Sequence, residues 1–191
     1  MNKHISYNTS GTCSRRIEID IENGIVTKVK FEGGCSGNTQ GVSALCVGMT
    51  PDEIDNAMNK KSGLLGVSGV SNDGREVWAA ADAGNERAKL AMDLMARGAI
   101  KLIGTYTAEM NGLDVLVFTA GVGENDRRIR EMVAGNLSFF GIKFDAEKNA
   151  TAPHGSILEI SCPDSATKVL VIPTDEEYMI ACDTGALAKA L

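Results

Sequence analysis

Three short stretches gather the residue types that chemistry needs. In "TAGVGEN", Gly121, Val122, Gly123, Glu124 and Asn125 follow a run of apolar β-formers and lead into a charged stretch with helical spacing. Glycines let a backbone approach a ligand closely, and the N–H groups that open a following helix suit an anion or the edge of a purine ring. Such a turn can equally serve packing alone, since it lacks both the third glycine of a dinucleotide fingerprint and the Gly-Lys-Ser/Thr of a phosphate-binding loop. In "VLVIPTDEE", carboxylates follow an apolar run, which sets hard oxygen ligands at a strand end; Glu176 is the candidate to orient a hydrated Mg²⁺ on a nucleotide. Acidic residues also favour the first turn of a helix through its dipole, with no metal involved. In "SNDGR", Asp73 and Arg75 place a carboxylate and a guanidinium on one turn. There Arg75 can stack on a base or pair with a phosphate, and the competing reading is a surface turn capped by Asn or Asp.

Cys13 and Cys35 are candidates of another kind, two soft ligands brought together across a hairpin toward zinc. A closed zinc site needs four ligands and there is no Cys-x-x-Cys pair, so free thiols are the competing reading. His4 and His154 have no partner near in sequence, and neither supports a metal or a general base. No residue is assigned a catalytic role.

The elements that must position these groups can be read from periodicity. "RRIEIDIENG" and "GIVTKVKFEGG" alternate apolar and charged residues around Asn23-Gly24, a pair suited to a tight hairpin. Helical spacing at Val42, Leu45 and Cys46 follows, and then Thr50-Pro51-Asp52-Glu53, which reads as a helix N-cap with proline at the first position. A ββα module therefore covers residues 1–57. Near Asn59 the texture changes to a polar loop rich in Gly and Ser, then to an Ala-rich amphipathic helix carrying Leu90, Leu94, Ile100 and Ile103, with Gly98 as a weak point. A strand at 114–120, a glycine turn, a helix at 125–139 and the strand "KVLVI" complete two strand-turn-helix units. That pattern predicts an α/β layer with its site at the carboxyl ends of the strands, α+β overall once the N-terminal module is included.

Composition narrows the function classes. The 191 residues are 43% apolar and 23% charged, an ordinary globular balance. Lys and Arg number 19 against 25 Asp and Glu, a net charge of −6, so neither nucleic acid nor an anionic membrane is a general partner. No segment approaches the ~20 apolar residues that cross a bilayer, and the N-terminus has no signal-peptide core, so a cytoplasmic location is expected. Five widely spaced cysteines in such a chain are expected to be reduced.

Taken together, "NKKSGLLGVSGVSNDGREV", "LDVLVFTAGVGENDRRIRE", "FFGIKFDAEKN" and "KVLVIPTDEEYMIACDT" resemble, in this order and at these intervals, the C-terminal third of an acetate kinase. The resemblance covers residues 58–184. It implies a partial actin/hexokinase-like (ribonuclease H-like) kinase lobe, phosphoryl transfer between ATP and acetate with Mg²⁺, and a 58–191 portion that holds the nucleotide. By the same resemblance Asp73 and Arg75 flank the adenosine and phosphate region, Gly121 to Asn125 close around adenine and ribose, and Glu176 is the Mg²⁺-associated glutamate. The family usually carries an aromatic residue where Gly74 stands and an arginine where Cys182 stands. Its substrate-side asparagine, arginines, histidines and catalytic aspartate belong to the preceding two thirds. The expectation is a chain that binds Mg-ADP or Mg-ATP without itself catalysing, that meets acetate or acetyl phosphate only in a completed cleft, and that self-associates through an uncovered apolar face.

"SGTCS" and "GGCSGN" within residues 4–57 resemble the small TSCPD domain, which also occurs at the end of some ribonucleotide reductases. The chain is therefore expected to be a fusion of a truncated TSCPD-like module with the kinase portion, and the second reading is that this module, cysteine-based and zinc-binding or regulatory, carries the function. Ser161-Cys162-Pro163-Asp164 echoes that domain's signature but sits where acetate kinases carry a Ser-x-Pro-Asp of their own.

Overall fold

A computed structural model describes residues 2–153 and 155–190, the last of these by its backbone alone; His154 lies outside the described residues. The chain forms two compact units, Met1–Ala88 and Lys89–Leu191. The change of sequence texture at 57–59 falls inside the first.

The first unit opens with three antiparallel strands, β1 (Lys3–Asn8), β2 (Ser14–Glu22) and β3 (Ile25–Gly33), in spatial order β1-β2-β3. Strand β1 adds to the two strands expected here; its "KHISYN" is too short and polar to announce itself. Asn23 and Gly24 both take left-handed backbone, φ 51° and 84°, as a two-residue hairpin turn requires. Direct pairing of Tyr7 with Ile17 and Ile17 with Phe31, and of Ile5 with Ile19 and Ile19 with Val29, puts the apolar residues on one face. Helix α1 (Ser36–Cys46) packs against β3. The opposite face carries a charge ladder in which Arg16 pairs with Glu32 and lies 3.6 Å from Glu18, while Glu18 lies 3.9 Å from Lys30. Helix α2 (Pro51–Asn59) starts on a complete capping box: the Glu53 N–H donates to Thr50 Oγ1 (3.2 Å) and the Thr50 N–H to Glu53 Oε2 (2.8 Å). The polar loop expected after Asn59 contains α3 (Gly63–Ser68), which stops at left-handed Gly69, and leads into α4 (Gly74–Asp82).

Helix α5 (Glu86–Met110) runs straight through Gly98, because Ala91, Met92 and Ala96 anchor it in the core and outweigh the local weakness of glycine. Strand β4 (Val115–Phe118) follows, then α6 (Ala120–Asn125), α7 (Arg127–Ala134), a 3₁₀ turn at Ser138–Phe140 and α8 (Ala146–Ala150). The single helix expected at 125–139 is therefore α7 plus this turn. Strand β5 (Leu158–Glu159) pairs antiparallel with β6 (Lys168–Val171), which lies parallel to β4, in the order β4-β6-β5. Helix α9 (Glu176–Ala190) closes the chain. Ile129, Val133, Leu137, Ile142, Ile160, Val169 and Val171 form the core of this unit. Among the described residues no helix is long and apolar enough to cross a membrane.

Candidate functional site

The parallel pair β4 and β6 ends at Phe118 opposite Val171, and the Ile172 N–H extends the ladder by donating to Phe118 O (2.9 Å). Two of the three stretches singled out in the sequence lie just beyond this edge, where an α/β sheet offers its ligand crevice. The expected open glycine turn is a short helix. Thr119 is extended and Ala120 takes φ 57°, so an alanine makes the left-handed reversal, and Gly121 and Gly123 lie inside α6. The two glycines then differ in what they permit. A Cβ on Gly123 would sit 3.0 Å from the carbonyl carbon of Phe118 and 3.3 Å from its Cα, so any larger residue makes the strand backbone give way under the helix. A Cβ on Gly121 would meet open space, so packing does not demand glycine there.

Inside α6, Asn125 Nδ2 donates to Gly121 O (2.9 Å). Glu124 reaches across to the other loop, where its Oε1 accepts from the Thr174 backbone N–H (2.8 Å) and from Thr174 Oγ1 (3.0 Å). The first of these bonds does most to hold the Glu124 carboxyl below its ordinary range, against the opposing pull of partial burial. The exposed Val122 side chain points away from the core. Glu176, also exposed, is the first residue of α9, and Asp175 just before it accepts from the Tyr178 N–H (3.1 Å).

A residue that sequence reading passed over holds this end of the unit together. Arg130, 3% exposed, donates from Nε to Asn149 Oδ1 (2.7 Å) and from one terminal nitrogen to the carbonyls of Gly123 (3.0 Å) and Glu124 (2.7 Å). Its guanidinium thus satisfies carbonyls at the C-terminal end of α6, and burial pulls its pKa down from the usual value. The signal was present: Arg130, Val133, Ala134 and Leu137 share a helical face, and the other three are apolar.

The third stretch lies in the first unit. Asp73 caps α4 by accepting from the Arg75 N–H (2.8 Å), and the Arg75 guanidinium folds back onto the same carboxylate, Nε to Oδ1 at 3.0 Å. The guanidinium first, and the backbone bond second, hold the Asp73 carboxyl down at about 2. The Arg75 side chain remains 91% exposed, open to a further anion or a base.

The zinc reading of Cys13 and Cys35 finds no supporting geometry. Both thiols are free and exposed, and among the described residues no group of three or more His, Cys, Asp or Glu side chains could hold a metal. An exposed carboxylate such as Glu176 has a different fit: Mg²⁺ keeps most of its waters and takes one or two protein carboxylates together with nucleotide phosphates.

Comparison with known proteins shows what the chain is similar to. The chain is 55% identical over 136 residues to an acetate kinase of Clostridium botulinum (strain Hall), covering 71% of this chain and 34% of that protein. It is 51% identical over 143 residues to an acetate kinase of Syntrophomonas wolfei, covering 75% and 36%. It thus spans about a third of the length of these curated relatives. The crystal structure of Porphyromonas gingivalis acetate kinase superposes with a TM-score of 0.71 at 40% identity, over 91% of this chain and 46% of that one. A propionate kinase from Francisella tularensis superposes with a TM-score of 0.65 at 31% identity, over 87% and 45%. The α/β, actin/hexokinase-like reading of the fold is the one these structures share. The Acetokinase family matches residues 43–182, which include α6, the Glu124 to Thr174 contact and Glu176, and the chain belongs to that family.

Proposed function

We propose that this chain is the nucleotide-binding portion of an acetate kinase, a phosphotransferase that moves a phosphoryl group between ATP and acetate. The observation that carries the reading is the parallel β4–β6 edge, with α6 on one strand end and the Thr174 to Glu176 loop on the other, in a chain of this family. Gly121, with open space above it, and the exposed Val122 face adenine and ribose. Gly123, Glu124 and Asn125 shape the helix that presents them. Glu176 takes a water-mediated place beside Mg²⁺, which when bound neutralises charge between the phosphates. In the first unit, taken by itself, Asp73 presents Arg75 as an open cation suited to a phosphate or a base.

Transfer of a phosphoryl group needs positioning and charge neutralisation on both sides of the reacting phosphorus. We therefore infer that these 191 residues bind Mg-ADP or Mg-ATP and turn over little acetate, which engages only a completed cleft. Exposed apolar residues on α5 and α9, among them Leu102, Tyr106, Ile180 and Leu187, support self-association of the chain in solution. The family match starts at residue 43 and leaves β1–β3 outside it, so only the part of the TSCPD-like reading before residue 43 stands clear of that family. Isothermal titration with Mg-ADP tests the reading, and an absence of binding at millimolar nucleotide would overturn it. Robust acetyl phosphate formation in a hydroxamate assay would overturn the half-cleft part.

A further inference from the structure

A carboxylate beside a nucleotide site is an electrostatic liability unless it is turned to another use, and Glu124 in α6 has other partners. Both hydrogens offered by Thr174, the backbone N–H and the hydroxyl, converge on Glu124 Oε1. Among the described residues the Thr174 N–H has no other acceptor. Its neighbour Pro173 has no N–H at all, so this loop has few ways to hold itself. On the far side, Asp175 caps α9 and Glu176 follows directly. Helix α6, at six residues, is too short to stand alone; Arg130 holds the carbonyls of Gly123 and Glu124, which fixes the base of the Glu124 side chain. A continuous path thus runs from buried Arg130 through α6 and Glu124 to Thr174 and the residue before Glu176.

We propose that Glu124 is a positioning residue, a latch that makes α6 and the Thr174 to Glu176 loop move as one body and so couples the adenosine side of the nucleotide site to its metal side. This rests on the nucleotide reading above for its functional half and on the two hydrogen bonds alone for its mechanical half. The Glu124 charge is taken up by Thr174 and by the Ala120 N–H at the start of α6, which turns it away from a bound nucleotide's phosphates. Removing the latch leaves both loops formed but independent of one another.

The test uses the full chain and two readouts. Peptide-resolved hydrogen exchange follows residues 119–126 and 172–178 in the wild type and in Glu124→Ala, Glu124→Gln, Thr174→Val and Thr174→Ser. Glu124→Ala should raise exchange about tenfold in both segments together, because a charge-assisted pair of bonds is lost. Glu124→Gln, which keeps an acceptor oxygen, should raise it less, and Thr174→Ser should restore what Thr174→Val loses. Faster exchange confined to one segment, or to neither, overturns the latch. Titration with ADP in the presence and absence of Mg²⁺ then reads the coupling: in Glu124→Ala the affinity gained from Mg²⁺ should shrink about fivefold while metal-free ADP binds nearly as before. An equal loss for both ligands shows a structural role only and overturns the coupling. If the wild type binds neither ligand, the nucleotide reading fails, and the exchange data still decide whether the two loops move together.

Discussion

Replacing Arg130 with alanine should destabilise the second unit by roughly 3 kcal/mol. The side chain is 3% exposed and gives hydrogen bonds to Asn149 Oδ1, Gly123 O and Glu124 O at 2.7, 3.0 and 2.7 Å. A buried acceptor that loses its donor costs about 1–3 kcal/mol. Water that enters the space left behind recovers part of the penalty for the two carbonyls, and the cost of burying the cation disappears with it, so the total stays near the single-bond upper end. In a chain of this length each kcal/mol moves the melting temperature by about 2–4 °C, which predicts a fall of roughly 6–12 °C in a thermal melt followed by circular dichroism. Arg130→Met, which restores most of the volume and none of the donors, should recover only the packing part. Asn149→Ala should couple strongly with Arg130→Ala in a double-mutant cycle, since Asn149 also ties α8 back to Arg127 O through Nδ2 (3.0 Å). A fall under about 2 °C for Arg130→Ala, or full recovery in Arg130→Met, would refute the claim that the guanidinium holds these carbonyls.

Other expectations follow from single positions. Gly123→Ala sets a methyl 3.0 Å from the Phe118 backbone and should cost about 1–3 kcal/mol in urea unfolding, whereas Gly121→Ala should cost much less; equal costs would contradict the packing described for α6. Ala120→Gly should stabilise by about 0.5 kcal/mol, the relief of left-handed backbone less the added freedom of glycine when unfolded, and a destabilised variant would argue against φ 57° at this residue. Thr50→Ala removes half of a capping box and should cost about 1 kcal/mol of stability, measured the same way. The Asp73 carboxyl is depressed from 3.8 to about 2, so its support of α4 is complete above pH 3.8 and is lost as pH falls through about 2. Carboxyl carbon NMR should place its midpoint there, and a midpoint near 3.8 would show that Arg75 does not hold it.

How far the sequence could be read depended on whether the signal was local. Asn23-Gly24 and Thr50-Pro51-Asp52-Glu53 carry their geometry in adjacent residues, and both form the turn and the cap expected of them. Strands β4 and β6 announced themselves as apolar runs, and their parallel pairing followed from the helices between them. The glycines of "TAGVGEN" misled because their freedom was credited with a reversal that Ala120 makes under tertiary constraint. Gly98 reads as a weak point within the helix, and packing of Ala91, Met92 and Ala96 carries α5 through it. The polar loop after Asn59 hid one short helix, α3, because Gly and Ser suit its ends as well as they suit turns. Arg130 was lost among Arg127 and Arg128, since composition does not say which of three arginines turns inward; the apolar spacing beyond it does. The Glu124 to Thr174 contact had no local signal, because its partners lie in different strand-turn-helix units.

The parallel register of β4 on β6 also sets the order in which the molecule acquires its parts. The β2–β3 hairpin closes over two residues and can form within microseconds of the chain becoming compact. Val115 must instead find Lys168, about fifty positions away, through a crossover that repays its closure entropy only after α7, α8 and β5 have gathered. The crevice is therefore a late product of folding. Until then α6 and the Thr174 loop are separate pieces of chain, so a nucleotide that binds there as proposed would stabilise the finished unit without hastening its assembly.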